Sequence, residues 1–110
     1  MFKYITRQEE ILLLAIWRLG ENAYGMTIKS QVEEVSGEPW SFGAIYAPLS
    51  RLLKKNLVIS RTGDPTPERG GKSKVFYELT DRGKAELLSA KRMHEASWEG
   101  LPLSHLETKS

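Results

Sequence analysis

A long hydrophobic run near the start of the chain predicts a first helix that is apolar around most of its circumference. Residues 11–17 read ILLLAIW, and Gly20 follows as a terminator. Thr6 and Glu9 stand three residues apart before this run, which is the spacing of a capping box, so we expect the helix to begin at Thr6. So wide an apolar surface must be covered on two sides. We therefore expect this helix to pack against a C-terminal helix or another subunit.

Two more helices are predicted from apolar positions three and four residues apart. The second helix ends at Gly37, and the third takes Ser41 as its cap. The apolar positions are Ile28, Val32 and Val35 in the second helix and Ile45, Leu49, Leu52 and Leu53 in the third. Pro48 lies inside the third helix, where it lacks an N–H and crowds the carbonyl four residues earlier. We therefore expect a kink or a late helical start there.

Two strand-like runs follow and predict a β-hairpin. Asn56 is suited to the left-handed conformation that ends a helix. Residues 57–62 and 74–79 are rich in β-branched and aromatic side chains, whereas residues 63–71 are rich in Gly and Pro. We expect the two runs to pair, with a long flexible loop between them.

A last helix is predicted to start after the cap Thr80 and to break at Gly100. A weak apolar seam runs along it, formed by Leu87, Ala90, Met93, Ala96 and Trp98. We expect this seam, together with Leu12 and Ile16 of the first helix, to form a dimer interface. Residues 100–110 are expected to form a loosely docked or frayed tail.

Composition excludes several classes of protein. The chain is 40% hydrophobic and 27% charged, and no apolar run approaches the roughly 20 residues needed to cross a bilayer. Nothing at the N-terminus resembles a signal peptide, so we expect a cytoplasmic protein without a membrane partner. Cysteine is absent and His94 and His105 are the only imidazoles. We therefore expect neither a metal nor another cofactor, and with no triad or phosphate loop we expect no enzyme.

Positive charge is concentrated in one segment of the chain. The whole protein carries only +2, but seven bases lie between Arg51 and Lys74 against two acids, Asp64 and Glu68, so this segment is +5. Charges near loops are often simply solvated. A basic helix followed directly by a cationic hairpin instead favours DNA, with the helix suited to a groove and the hairpin to the phosphate backbone.

Several separated motifs resemble those of the PadR family of transcriptional regulators. Residues 43–52, GAIYAPLSRL, are similar to the family's recognition helix, Gly-Thr-Leu-Tyr-Pro-Ala-Leu-x-Arg-Leu. Tyr24-Gly25 resembles its start of helix two, and Ser36-Gly37 the end of that helix. Residues 70–80, GGKSKVFYELT, resemble the returning strand of its hairpin. The resemblance covers about residues 9–98, and three features depart from it: Pro48 lies one place later, lysines replace arginines in the hairpin, and the last helix is shorter.

The resemblance implies an α+β, mainly α, winged helix-turn-helix with a C-terminal dimerisation helix. Residues 1–80 would form the DNA-binding domain of three helices and a two-stranded wing, residues 81–99 the dimerisation helix, and residues 100–110 a flexible tail. It also implies a homodimeric, sequence-specific repressor of a pseudo-palindromic duplex operator, relieved by a small aromatic or hydrophobic effector. Trp98 and Met93 are the expected effector contacts, with a plain interface role for Trp98 as the alternative.

The expected DNA contacts come from helix three and the wing. They are Ser41, Ala44, Tyr46, Ala47 and Arg51 in the helix, and Arg69, Gly70, Gly71, Lys72 and Lys74 in the wing. Small residues let the backbone approach the groove, and bases and a phenol suit phosphate oxygens. Several of these residues also have a structural role as the alternative to DNA contact. The alternatives are a cap for Ser41, a half-buried core ring for Tyr46, an ion pair for Arg51 and a mobile loop for the glycines.

A rival class uses the same fold without touching DNA. A winged-helix protein-interaction module, such as an anti-repressor or assembly subunit, would share every element predicted above. Trp17 is expected in the core. Trp40 is expected to be a packing plug before the third helix, with contact to the backbone phosphate as the alternative.

Overall fold

The structure of the protein is a computed structural model, and it describes residues 5–65 and 73–107. Four helices and one antiparallel hairpin follow one another in the described chain. They are α1 (Arg7–Leu19), α2 (Gly25–Ser36), α3 (Phe42–Lys54), β1 (Val58–Pro65), β2 (Ser73–Leu79) and α4 (Asp81–Trp98), with 3-10 turns at Gly20–Asn22 and Leu103–His105. The predicted class, α+β and mainly α, is confirmed.

Local signals set the predicted helix boundaries. The Thr6 hydroxyl accepts the Glu9 N–H at 3.1 Å while Glu9 Oε1 accepts the Thr6 N–H at 2.9 Å, which confirms the capping box. Ser41 Oγ accepts from the Ala44 N–H at 3.1 Å, and Thr80 Oγ1 accepts from the Gly83 N–H at 2.9 Å. Each cap satisfies a backbone donor that the first turn leaves without a helical partner.

Two residues end helices in the left-handed region, as predicted. Gly37 closes α2 with φ 73°, and Asn56 follows α3 with φ 62°. Asparagine adopts this conformation more readily than other residues with a Cβ. The Leu57 N–H then donates to the Leu52 carbonyl at 2.9 Å, which directs the chain into β1.

The third helix does not start late, contrary to one of the two expectations for Pro48. It is continuous from Phe42 to Lys54, and the Pro48 ring is buried on its core face. Pro48 has no N–H to give the Ala44 carbonyl four residues earlier. Because Ala44 is exposed, water can satisfy that carbonyl, which removes most of the penalty.

The hairpin is longer than predicted and is joined by a third segment. Its register pairs Val58 with Leu79 and Thr62 with Val75, and an irregularity follows before Pro65 pairs with Ser73. On the other edge of β2, the Tyr77 N–H donates to the Ala23 carbonyl at 2.8 Å. The connection between α1 and α2 therefore fixes the wing against the helices.

The core assigns two predicted interface residues to the interior of the chain. Leu12 and Ile16 are fully buried in a cluster that draws on all four helices and both strands. They have no surface left for a partner subunit, so their assignment to a dimer interface needs correction. Trp17, which was expected in the core, is 65% exposed and also needs correction.

The last helix lies antiparallel to α1 and leaves the body of the fold towards its end. Gly83 packs so closely on the Leu57 carbonyl that a Cβ there would lie 2.1 Å from the oxygen. Leu87 reaches the core, and His94 Nε2 lies 3.1 Å from Glu10 Oε1. From residue 91 onward every described residue is exposed. None of the described helices is long and apolar enough to cross a membrane.

Candidate nucleic-acid interface

A buried carboxylate anchors the C-terminal end of α3 to α1. Glu9 is fully buried, and its two oxygens accept from Arg51 Nε at 3.0 Å and from Lys55 Nζ at 2.9 and 3.0 Å. With the Thr6 N–H, three donors surround this carboxylate. The alternative of an ion pair for Arg51 is thus realised. About half of the Arg51 side chain is still exposed, and its hydrogen bond to Glu9 uses Nε, so this bond does not engage the two terminal nitrogens.

Opposing effects act on the Glu9 carboxyl, and the lowering effects prevail. Burial raises its pKa, whereas the Thr6 N–H and the hydrogen bonds and charges of Lys55 and Arg51 lower it, and the net pKa lies below the usual 4.5. Glu9 is therefore ionised at neutral pH. Its negative charge neutralises part of the positive charge that Arg51 and Lys55 place at the C-terminal end of α3.

A continuous series of contacts joins the wing to the start of α3. Lys74 Nζ of β2 lies 4.3 Å from the centroid of the Tyr24 ring, and the next residue, Gly25, underlies the Tyr46 hydroxyl of α3. The Tyr46 ring stacks on Phe42 with centroids 6.2 Å apart. The Phe42 ring in turn has Lys29 Nζ of α2 5.4 Å from its centroid. Bases of β2 and α2 and rings of α3 therefore share one surface.

Gly25 is required by this arrangement. A Cβ at Gly25 would lie 2.0 Å from the Tyr46 oxygen and 3.0 Å from Cζ, a separation that atoms do not tolerate. The phenol of Tyr46 therefore sits directly over the first turn of α2, with 44% of the residue exposed. The Tyr46 ring is thus packed against its neighbours while part of the residue is exposed, and its contact with DNA stays a prediction.

The structure exposes every predicted contact of the third helix. Ser41, Ala44, Tyr46, Ala47 and Arg51 are all exposed along α3, and Lys74 lies on the same surface through its contact with Tyr24. The four wing residues Arg69, Gly70, Gly71 and Lys72 lie outside the described residues. Trp40, predicted to be a packing plug, packs partly buried against the core, and its indole N–H donates to Ser36 Oγ at 3.0 Å.

Three residues of this surface were missed by sequence reasoning: Phe42, Lys29 and Tyr24. Phe42 stands three residues before Ile45 and seven before Leu49, so it continues the apolar stripe of α3, and the periodicity gave no signal that 47% of the residue would be exposed. Lys29 is held in place by Glu33, whose Oε2 lies 2.9 Å from Nζ. No signal in the sequence placed Lys29 beside a ring of another helix.

A second surface feature is an apolar groove between α1 and α4. The groove has a volume of about 690 Å³, with Leu14 and Trp17 of α1 facing Leu87 and Leu88 of α4. Leu14, Trp17 and Leu88 are each 44% exposed or more. Polar side chains also line it, namely Glu10, Lys84, Lys91, His94 and Glu95. Of the predicted seam, Leu87 lies at the base of this groove.

The predicted effector contacts lie elsewhere on α4. Met93 lines a smaller cavity of about 130 Å³ together with Ile5 and Ala90, and Trp98 lies half-exposed in the final turn of the helix. Ala96 is exposed. Among the described residues, no group of three or more acidic or histidine side chains is arranged to hold a metal ion.

The fold has relatives among solved structures. A PadR family transcription regulator from Clostridium difficile R20291 is 28% identical, with 90% of this chain and 98% of that chain covered and a TM-score of 0.67. A PadR-like transcriptional regulator from Bacillus cereus is 20% identical over 93% of this chain and 92% of its own, with a TM-score of 0.68. A transcriptional regulator from Thermoplasma acidophilum, described as putative, is 19% identical over 93% and 96%, with a TM-score of 0.70. The last two, at these identities, show the fold alone.

The family model gives the most direct result. No curated protein matches the chain. The model of the Transcriptional regulator PadR-like family, however, matches residues 13–89, well over half of the sequence. This span begins inside α1, includes the contacts between β2, α2 and α3, and ends inside α4. The winged-helix fold predicted from the motifs is therefore confirmed, and the chain belongs to the PadR-like family of transcriptional regulators.

Proposed function

We propose that this protein is a homodimeric, sequence-specific repressor that binds duplex DNA and releases it in response to a small molecule. In each subunit α3 enters the major groove, and the hairpin lies along the flanking phosphate backbone. The observation that carries this proposal is the run of contacts from Lys74 through Tyr24 and Tyr46 to Phe42. Because of these contacts, side chains of β2 and of the first turns of α2 and α3 lie on one surface of the protein.

The charges on this surface fit a polyanion. Lys54 is exposed on α3, and about half of the Arg51 side chain is exposed while Glu9 fixes its Nε. Lys74 is placed on the wing by the Tyr24 ring. Three cations fixed on two elements can neutralise phosphates along a backbone and release their counterions. The four wing residues from Arg69 to Lys72 are proposed to extend the same contact.

The groove between α1 and α4 supports the homodimer. Leu14, Trp17 and Leu88 form an exposed apolar surface that a second copy, related by a two-fold axis, would cover with the same surface. For both α3 helices to reach successive major-groove faces, this axis must hold them about 34 Å apart. A pseudo-palindromic operator follows from this symmetry.

We place the effector between the two α4 helices, where Met93 and Trp98 offer a thioether and a ring that are each about half exposed. A small aromatic or hydrophobic molecule bound there shifts the dimer only if it prefers a spacing that does not fit DNA. Trp98→Ala should therefore remove any ligand-dependent loss of operator affinity, measured by fluorescence anisotropy. It should leave DNA binding without ligand intact.

DNA binding is tested by selecting bound duplexes from a random pool. The affinity for the most enriched duplex is then measured over a range of salt concentrations. If about six phosphates are neutralised, log K should fall with log salt at a slope of roughly −5. Lys54→Glu and Lys74→Glu should each weaken binding and flatten this slope. Arg82→Glu is the matched control, because Arg82 is an exposed base at the foot of the hairpin, away from its tip.

Two outcomes would overturn the proposal. A slope near zero would show that the surface neutralises no phosphates. Failure to enrich any duplex, with a folded protein that captures a protein partner regardless of Lys54 and Lys74, would favour the rival interaction module.

A further inference from the structure

The exposed side of α3 has an unusual composition over its first two and a half turns. From Phe42 to Ser50 its outward residues are Phe42, Gly43, Ala44, Tyr46, Ala47 and Ser50. None of them carries a guanidinium, an ammonium, a carboxamide or a carboxylate. The first charged residue of the helix, Arg51, stands in its third turn and is tied to Glu9. The part of the helix nearest to its N-terminus therefore presents methyl groups, rings and two hydroxyls.

Base edges in the major groove differ in the donors, acceptors and methyl groups that they present to a protein. Guanine is read by Arg or Lys, adenine by Asn or Gln, and cytosine by Asp or Glu, whereas the C5-methyl group of thymine is read by apolar contact with Ala or Phe. The first turns of α3 lack every side chain in the first three groups. They carry Ala44, Ala47 and Phe42, which belong to the fourth.

We propose, resting on the DNA-binding function proposed above, that α3 selects its site through thymine methyl groups and that Phe42 is a specificity-determining residue. Phe42 is 47% exposed although it is a large apolar side chain. An exposed ring at the start of a helix, on the surface shared with Lys74 and Lys29, can contact a base edge through its uncovered part. Ala44 and Ala47 add methyl groups on the outer side of the same helix.

The Phe42 ring is held ready for this contact. It stacks on Tyr46 with an interplanar angle of 20°, and Tyr46 is itself fixed over Gly25. On the α2 side the ring is flanked by Lys29, which Glu33 holds at 2.9 Å. A ring fixed before binding loses little conformational entropy on contact, so the gain from covering a methyl group is retained.

The experiment replaces thymine by uracil, which pairs identically but lacks the methyl group. In the selected operator each dT is changed to dU in turn, and binding is measured at constant salt. Covering one methyl group stabilises by about the free energy of one buried CH₂, so we expect roughly a fourfold loss of affinity at each contacted position. A dU outside the half-sites, where α3 does not reach, is the duplex control.

Protein variants identify the residue responsible. Phe42→Ala should bind dT and dU duplexes equally at one position per half-site, whereas Phe42→Leu should keep part of the discrimination. Thermal melting checks that both variants are folded. We expect them to be, because the Phe42 ring is half-exposed and its loss leaves no large cavity in the core. If the native protein binds dT and dU duplexes equally at every position, the inference about thymine is wrong. The proposed DNA-binding function still holds in that case, provided that duplex binding depends on salt. Absence of salt-dependent duplex binding would instead overturn both.

Discussion

Glu9 shows how one residue stabilises two helices at once. Its side chain closes the capping box of α1, and its two oxygens hold Arg51 and Lys55 at the end of α3. A fully buried carboxylate is tolerated only because each oxygen is hydrogen-bonded and the charge is paired. The same pairing engages Arg51 through its Nε.

Replacing Glu9 by Gln isolates the charge, because Gln can still close a capping box. We expect Glu9→Gln to lower the free energy of unfolding by about 1–3 kcal/mol, since Arg51 and Lys55 lose a charged acceptor but remain partly exposed to water. Urea denaturation at neutral pH measures this change. Glu34→Gln, at an exposed position of α2, is the control and should change stability by less than about 0.5 kcal/mol.

The lowered pKa of Glu9 fixes the sign of the pH dependence. A carboxyl group with a folded-state pKa below its usual 4.5 contributes stability that is fully present above that pH and is lost as the pH falls through the folded-state pKa. The native protein should therefore lose stability below about pH 4.5 more steeply than Glu9→Gln. Parallel profiles of the two proteins would contradict the buried ion pair.

At the scale of the elements, the helix boundaries were largely readable from the sequence. Thr6, Ser41 and Thr80 cap the helices as predicted, and Gly37 and Asn56 end them, because caps and left-handed turns depend on backbone groups within three or four residues. The start of α3 at Phe42 was less clear, since Pro48 suggested a disrupted helix. The helix is nevertheless continuous, and the Pro48 ring is buried on its core face, which is a tertiary fact.

Thr80 links the hairpin to α4, so removing its hydroxyl should destabilise both elements. Its hydroxyl accepts from the Gly83 N–H at 2.9 Å and donates to the Asn56 carbonyl at 2.8 Å. We expect Thr80→Ala to reduce the free energy of unfolding by about 1–2 kcal/mol, and Thr80→Ser, which keeps both hydrogen bonds, by much less. Chemical denaturation followed by circular dichroism compares them. Equal losses in the two variants would mean that the methyl group, rather than the hydroxyl, matters.

At the scale of the whole molecule, α1 divides its apolar residues between two environments. The sequence predicted that so apolar a helix is covered on two sides. Leu12, Leu13 and Ile16 face the core of the chain itself, and Leu14 and Trp17 remain exposed beside Leu88 of α4. Within the described residues the second side is therefore open, which is why we assign it to a partner subunit.

Acidic substitutions in this groove should separate the proposed dimer into monomers. We expect the double variant Trp17→Glu and Leu88→Glu to weaken self-association about a hundredfold or more, because each apolar side chain would otherwise contribute about 1.5 kcal/mol or more on burial. Sedimentation equilibrium over a range of concentrations measures it. Ile59→Glu, at a residue 54% exposed on β1, is the matched control and should still dimerise.

A double variant that dimerises as strongly as the native protein would move the interface away from the groove. Deletion of residues 84–110 then provides the second measurement. A truncated chain that still dimerises would show that α4 is not the dimerisation helix.

The sequence alone determined the order and type of the elements, their caps, and the family to which the chain belongs. These follow from interactions between neighbours along the chain and from motifs whose order and spacing are visible in one dimension. Only the tertiary structure decided that Arg51 meets a carboxylate 42 residues away, that Trp17 faces outward, and that Phe42 joins Tyr46 at the surface. The reason is that which side of a helix is buried depends on the angle at which other helices pack against it, and no local pattern specifies that angle.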